Sequence, residues 1–312
     1  MKVIRLAPAA FLFAMVLAAI SLAQSPRTFV SGQGKDKNPC SQTSPCRTFT
    51  QAIAQTAAGG AVIALDSGSY APFAINKAIT VEAPGGAAIT VASGDGIDVS
   101  AGVSDIVIIR GLTVNNEGSS GNGIVFKGGG TLHIERSVAN GFSGFGMSGI
   151  SITSPANIFV KDTIARNNYN GLALNIATGA PATATITMDQ LHLDANRIGL
   201  FVQTQTGQTV TGTIGNSSAS GNSDAGILVN ANAGGSISLN VESCLLTNTS
   251  IGLIAESSTA GSAAAYISFC SIAHNAVNGF EIGGQGAIFS RGNNTLIDNG
   301  QNVGSLTTLV AQ

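Results

Sequence analysis

The sequence predicts an all-β coil of stacked parallel strands, and three observations carry that prediction. Eight segments repeat glycine, apolar residue, spacer, apolar residue: Gly96-Ile97-Asp98-Val99, Gly123-Ile124-Val125-Phe126, Gly149-Ile150-Ser151-Ile152, Gly171-Leu172-Ala173-Leu174, Gly199-Leu200-Phe201-Val202, Gly226-Ile227-Leu228-Val229, Gly252-Leu253-Ile254-Ala255 and Gly279-Phe280-Glu281-Ile282. Neighbouring glycines lie 22 to 28 residues apart, a period that belongs to stacked structural units rather than to one irregular globule. Between the glycine strands run further short alternating segments, such as Asn157-Ile158-Phe159-Val160 and Thr163-Ile164-Ala165, with no helix-length pattern. The composition agrees. Forty glycines, 10% charged residues and no Trp suit a β-rich repeat with small residues at its turns, and a 44% hydrophobic content is too high for disorder.

Along the chain, Lys2 and Arg5 give a positive start, Ala9 to Ile20 an apolar stretch, and Ser21-Leu22-Ala23 a cleavage site. Residues 1–23 are therefore expected to be a signal peptide for the Sec pathway, delivering the mature chain to the periplasm or the extracellular space. The apolar run is too short for a membrane span, and no later segment reads as one. Residues 24–60 form an N-terminal section. Cys40 and Cys46 flank the loop Ser41 to Pro45, and in an exported chain that spacing predicts a disulfide. Thr48 is placed to cap a short helix through about Ala58, with Phe49, Ala52, Ile53 and Thr56 on one face and Gly59-Gly60 as its stop. Such a helix would plug the open first coil.

Residues 61–312 form the coil, begun by strand-like runs Ala61 to Leu65, Phe73 to Asn76 and Ala78 to Glu82 and ended by Leu306 to Val310. The spacing predicts about eight to ten coils of three short strands each. In every glycine strand the first and third residues after glycine are expected to point inward, the second and fourth outward. The glycine itself marks either a positive φ or a close backbone approach. Asn140, Asn167, Asn196, Asn222, Asn248, Asn275 and Asn299 recur at the turn before it and are expected to form an amide ladder. Asn248-Thr249-Ser250 matches a glycosylation pattern, discounted because a stacked amide cannot carry a glycan. Cys244 and Cys270 are one repeat apart, which fits either a bond between neighbouring coils or two buried thiols.

These features resemble the right-handed parallel β-helix repeat proteins of the pectin-lyase-like superfamily. The resemblance rests on the Asn-x-x-x-Gly-apolar-x-apolar unit and on Thr28-Phe29-Val30, Pro45-Cys46-Arg47-Thr48-Phe49, Gly68-Ser69-Tyr70 and Ile75-Asn76-Lys77-Ala78-Ile79-Thr80. It covers essentially the whole mature chain and implies the right-handed fold. It does not imply one activity, because that superfamily holds polysaccharide lyases, galacturonases, esterases, tailspikes and adhesins. The chain departs from the enzymes' pattern: it has no Asp-Asp and no aspartate cluster, and its carboxylates stand singly along the sequence.

Three functional readings follow. The leading one is a non-catalytic secreted binding or surface-interaction module that recognises polysaccharide or a surface protein. Its contact face is Phe201, Gln203, Leu228, Asn230 and Ile254 on the outer columns. The first alternative is a lyase or glycoside hydrolase acting on acidic polysaccharide. Its catalytic candidates are Glu256 and Glu281, about 8 Å apart at Cα and so near the spacing of an inverting pair. A Ca2+ ion belongs only to the lyase version. The second alternative is a self-associating envelope protein, of undetermined oligomeric state. No metal site or other cofactor is expected, since His133, His192 and His274 fall at different points of the repeat. A net charge of −2 offers no surface for nucleic acid.

Overall fold

The structure, a computed structural model, describes residues 24–176, 182–258 and 260–309. The expected signal peptide, residues 1–23, and Val310 lie outside the described residues. The described chain is a parallel β-solenoid of about nine turns with one short helix, Phe49–Gln55. Its strands form a fifteen-stranded sheet, a ten-stranded sheet and a three-stranded sheet.

The eight glycine segments are eight consecutive strands of the ten-stranded sheet, from Ile97–Ser100 to Asn278–Gly284. Alternation dictates their orientation. The first residues after glycine stack in register from Ile97 through Ile124, Ile150, Leu172, Leu200, Ile227 and Leu253 to Phe280, all buried. Each fully buried aliphatic side chain stabilises its coil by about 1.5–3 kcal/mol. Of the two reasons for the glycine, close approach is the one that operates. A Cβ on Gly199 would lie 2.6 Å from the Gly226 carbonyl oxygen, and one on Gly226 would lie 2.6 Å from that of Gly252. None of the eight has a positive φ.

The corner before the glycine is held by buried amides. Asn196 N–H donates to Asn222 Oδ1 at 2.8 Å, and Asn222 Nδ2 donates to the Leu193 carbonyl at 3.0 Å. Asn168 above and Asn275 and Asn299 below repeat the arrangement, with Thr249 in line through its hydroxyl to Asn275 Oδ1. The expected column thus mixes two positions. Asn167 and Asn248 stand one residue earlier, exposed, with φ of 57° and 55°, where Asn is favoured for its tolerance of left-handed backbone. Asn140 lies on that outer side too, accepting from Asn167 Nδ2 at 2.8 Å. The ground for discounting glycosylation at Asn248 is therefore removed, since Thr249 and not Asn248 occupies the ladder.

The expectation of three strands in every coil is corrected. The third side is a strand in Val138–Asn140, Ile164–Arg166, Leu245–Thr247, Ser271–Ala273 and Thr295–Ile297. In the two coils between, His192 and Ser218 continue the column by single bridges. In earlier coils it is fused to the first side: Ile79–Val91 and Ile106–Asn116 each turn the corner within one strand. Gly86 and Gly111, at φ of 78° and 72°, make that bend possible.

At the N-terminal end Cys40 and Cys46 are bonded; Cys244 and Cys270 are buried free thiols on neighbouring coils. Thr48 caps the helix, its hydroxyl accepting from Gln51 N–H at 3.2 Å. Phe49, Ala52 and Ile53 are buried, and the Phe49 ring stacks on Phe73 with centroids 4.7 Å apart. The helix stops at Gln55 rather than near Ala58. Thr56 is already extended, its hydroxyl tied to the Ala52 carbonyl at 2.7 Å and to Thr28 Oγ1 at 2.8 Å. Gly59 and Gly60 then fall inside the strand Thr56–Ala64.

Asp66 ties the first coil together. It accepts from the Ser31 and Tyr70 hydroxyls, both at 2.6 Å, and from the Gly32 and Gly68 amides. Burial opposes its ionisation, yet these four donors hold its carboxyl down at about 2. A depressed folded pKa stabilises above the unfolded value, near ~3.9, and the contribution is lost as pH falls from ~4 towards ~2. Asp66→Asn is expected to cost about 2 kcal/mol at neutral pH, near the worth of a charged hydrogen bond. Melting curves at falling pH should show the gap between wild type and variant closing over that window.

The fifteen-stranded sheet carries a line of charge on its outer face. Glu82, Arg110, Glu135, Lys161 and Asp189 are in register on successive strands. Arg110 pairs with Glu82 at 3.5 Å and with Glu135 at 2.8 Å, and Lys161 pairs with Asp189 at 3.4 Å. Carboxylates that stand singly in sequence are therefore stacked in space.

Candidate functional site

The outer face of the ten-stranded sheet carries two columns. The second-position column runs in register through Asp98, Val125, Ser151, Ala173, Phe201, Leu228, Ile254 and Glu281. The fourth-position column runs through Asn175, Gln203, Asn230, Glu256 and Gly283. Lys127 drops out of it because a register shift sets Ser100 opposite Gly128; its ammonium pairs with Asp98 and, at 3.2 Å, with Asp95. The apolar strip packs on itself as a small outer cluster. Ile254 joins Ile198 and Ala225, with Phe201, Leu228 and Ile251 half-buried against them.

Two cavities lie along this face. One, of about 430 Å3, is walled by Phe145, Tyr169, Asn170, Arg197, Phe201, Asp224, Leu228 and Asn230. The next, of about 290 Å3, is walled by Asn230, Asn232, Glu256, Ser257, Ser258 and Gly283. Both touch Asn230, so they adjoin, and together they make a groove-like path across successive coils. Of the five residues expected at the contact face, Phe201, Leu228 and Asn230 line it. Gln203 and Ile254 share the face but not the cavity walls.

Sequence reasoning missed the groove's richest part. Tyr169, Arg197 and Asp224 each precede a repeat glycine by two residues, so they stack at one corner beside the strands. The Arg197 guanidinium lies 4.8 Å above the Tyr169 ring centroid, and its Nη2 is 2.5 Å from Asp224 Oδ2. Phe145, 93% exposed on the loop before Ser148–Ile152, meets the Tyr169 ring edge-on at 5.2 Å. Three aromatics thus face the groove where the columns alone offered Phe201. Asn170 is 7% exposed and its Oδ1 has no hydrogen-bond partner.

Glu256 and Glu281 sit at the other end. Asn230 Nδ2 donates to Glu256 Oε1 at 2.6 Å, and Asn278 Nδ2 donates to Glu281 Oε2 at 3.1 Å. Ile254 is opposite Glu281 and Glu256 is opposite Gly283, so the two carboxylates are offset by one coil and two residues. Burial, and then the nearby Glu281, raise the Glu256 carboxyl above the ordinary glutamate value. Calcium takes six to eight oxygens, commonly from several carboxylates. Among the described residues no group of three or more His, Cys, Asp or Glu side chains converges, so these residues do not fit that ion. The histidines lie apart: His133 stacks on Phe159 at 4.7 Å, His192 Nδ1 is 3.1 Å from Ser218 Oγ, and His274 Nδ1 is 3.8 Å from Asp298. Among the described residues no helix is long and apolar enough to cross a membrane.

No family model matches the chain, and no curated protein matches it by sequence. Among solved structures, pectate lyase Pel9A is similar over 91% of this chain and 78% of its own, with a TM-score of 0.66 and 14% identity. The A-module of mannuronan C-5 epimerase AlgE4 from Azotobacter vinelandii is similar over 81% of this chain and 91% of its own, with a TM-score of 0.45 and 13% identity. At such identity the likeness to pectate lyase Pel9A is one of fold alone: this chain shares its parallel β-helix architecture.

Proposed function

We propose that the protein is an exported, non-catalytic β-helix module that binds polysaccharide along the groove of the ten-stranded sheet. The supporting observation is that the two cavities adjoin at Asn230 on one sheet face. The groove crosses six strands, from Ser148–Ile152 to Asn278–Gly284, a run of roughly 24 Å at about 4.8 Å per step. Its amides and hydroxyls suit sugar hydroxyls, and Phe145, Tyr169 and Phe201 offer apolar ring faces. The Cys40–Cys46 bond supports export by the signal peptide of residues 1–23, since such bonds persist in oxidising compartments. In this reading the helix Phe49–Gln55 closes the N-terminal end of the coil.

The test is retention of the chain from Gln24 onward in gels carrying polysaccharides. Phe201→Ala with Leu228→Ser should weaken retention at least about tenfold, the loss of one or two well-packed contacts. Equal retention of variant and wild type would remove the groove from consideration. A hydrolytic reading rests on the raised carboxyl of Glu256, with the Glu281 carboxylate offset from it by one coil and two residues. New reducing ends that disappear in Glu256→Gln would establish it against the binding module.

A further inference from the structure

We infer that the polysaccharide the groove takes is a neutral one, and that the groove rejects chains bearing a carboxylate on every sugar. The inference rests on the binding reading above and concerns which polymer binds.

Charge bookkeeping along the groove leaves nothing to attract a polyanion. Arg197 is the cation in the groove's walls, and it is already engaged. Asp224 neutralises it at 2.5 Å on one side while the Tyr169 ring lies 4.8 Å from its guanidinium carbon. Lys127, on the same sheet, is held by Asp95 and Asp98. At the opposite end Glu256 and Glu281 meet amides, and among the described residues no lysine or arginine lies within ion-pair distance of either. A polyuronate laid along this path would bring carboxylates against Glu256, with Glu281 on the same face beside it, and no free cation in exchange, an arrangement that is repulsive in a partly desolvated groove.

The polar groups point the same way. Asn175 and Asn230 line the same path. An amide both donates and accepts, and so does a hydroxyl, whereas an ionised carboxylate only accepts. Hydroxyls therefore suit both amides in either orientation. Phe145, almost fully exposed against Tyr169, adds an apolar ring face for the carbon face of a sugar.

The experiment is affinity electrophoresis of the chain from Gln24 onward, wild type and Asp224→Asn, through gels containing hydroxyethylcellulose, galactomannan, polygalacturonate or alginate, at low and high salt. Wild type should be retarded by a neutral polymer at least about tenfold more than by either polyuronate, with little salt dependence, because no ion pair forms. Asp224→Asn frees the Arg197 guanidinium and should gain polyuronate retention that high salt abolishes. Stronger retention of wild type by a polyuronate would overturn the inference while leaving the binding reading standing. Retention by none of the four would overturn the binding reading and this inference with it.

Discussion

Leu200→Asp should abolish the cooperative melting of the coils around Ile198–Thr204, at a cost of at least about 4 kcal/mol. Leu200 is completely buried, in register between Leu172 and Ile227. The substitution removes about 1.5–3 kcal/mol of apolar burial and places a carboxylate among stacked aliphatic side chains, where it must desolvate or take up a proton. Asn175, on the neighbouring strand, faces out. Asn175→Ala should shift Tm by less than about 2 °C, the ordinary range of an exposed substitution. Calorimetry of the two variants side by side checks the inward and outward assignment, and equal tolerance would refute it.

Asn222→Leu carries the second largest effect, about 2–5 kcal/mol, although it keeps the number and branching of side-chain heavy atoms. The Asn222 amide serves two buried backbone groups: Oδ1 accepts from Asn196 N–H, and Nδ2 donates to the Leu193 carbonyl. Leucine leaves both without a partner, and each orphaned group costs about 1–3 kcal/mol. Asn248→Gly supplies the contrast. Asn248 is exposed at φ of 55°, a conformation glycine adopts freely, so its denaturation midpoint should stay near that of wild type. A similar loss in both would return Asn248 to the ladder.

Much of the fold was legible because a solenoid repeats its local physics. The Gly-apolar-x-apolar segments fixed strand, face and register together, since inward residues must stack on inward residues. The Asn column was only half legible: two adjacent corner positions both favour Asn, one for its amide and one for left-handed backbone, as Asn167 beside Asn168 shows. The helix was overextended because the hydroxyl bonds of Thr56 to Ala52 and Thr28, which begin the strand early, are tertiary. At the groove, Phe201 and Leu228 were visible from alternation, while Tyr169, Arg197 and Asp224 lay two residues outside the strand pattern. Their common offset from Gly171, Gly199 and Gly226 was the signal available. Nothing comparable marks Phe145, whose position depends on the path of a loop.

The charged line on the fifteen-stranded sheet favours the native order of coils over one in which a coil is skipped. Successive coils of a solenoid are nearly interchangeable, so the characteristic error is to skip one and dock on the next. Glu82, Arg110, Glu135, Lys161 and Asp189 alternate in sign from strand to strand. Leaving out the coil of Arg110 would set Glu82 against Glu135, and leaving out that of Glu135 would set Arg110 against Lys161. Like charges directly opposite are destabilising, whereas the native order pairs unlike ones. The apolar columns inside are nearly indifferent to such a slip, since isoleucine, leucine and valine replace one another from coil to coil. The surface charges, individually weak, thus distinguish neighbouring coils that the core treats alike.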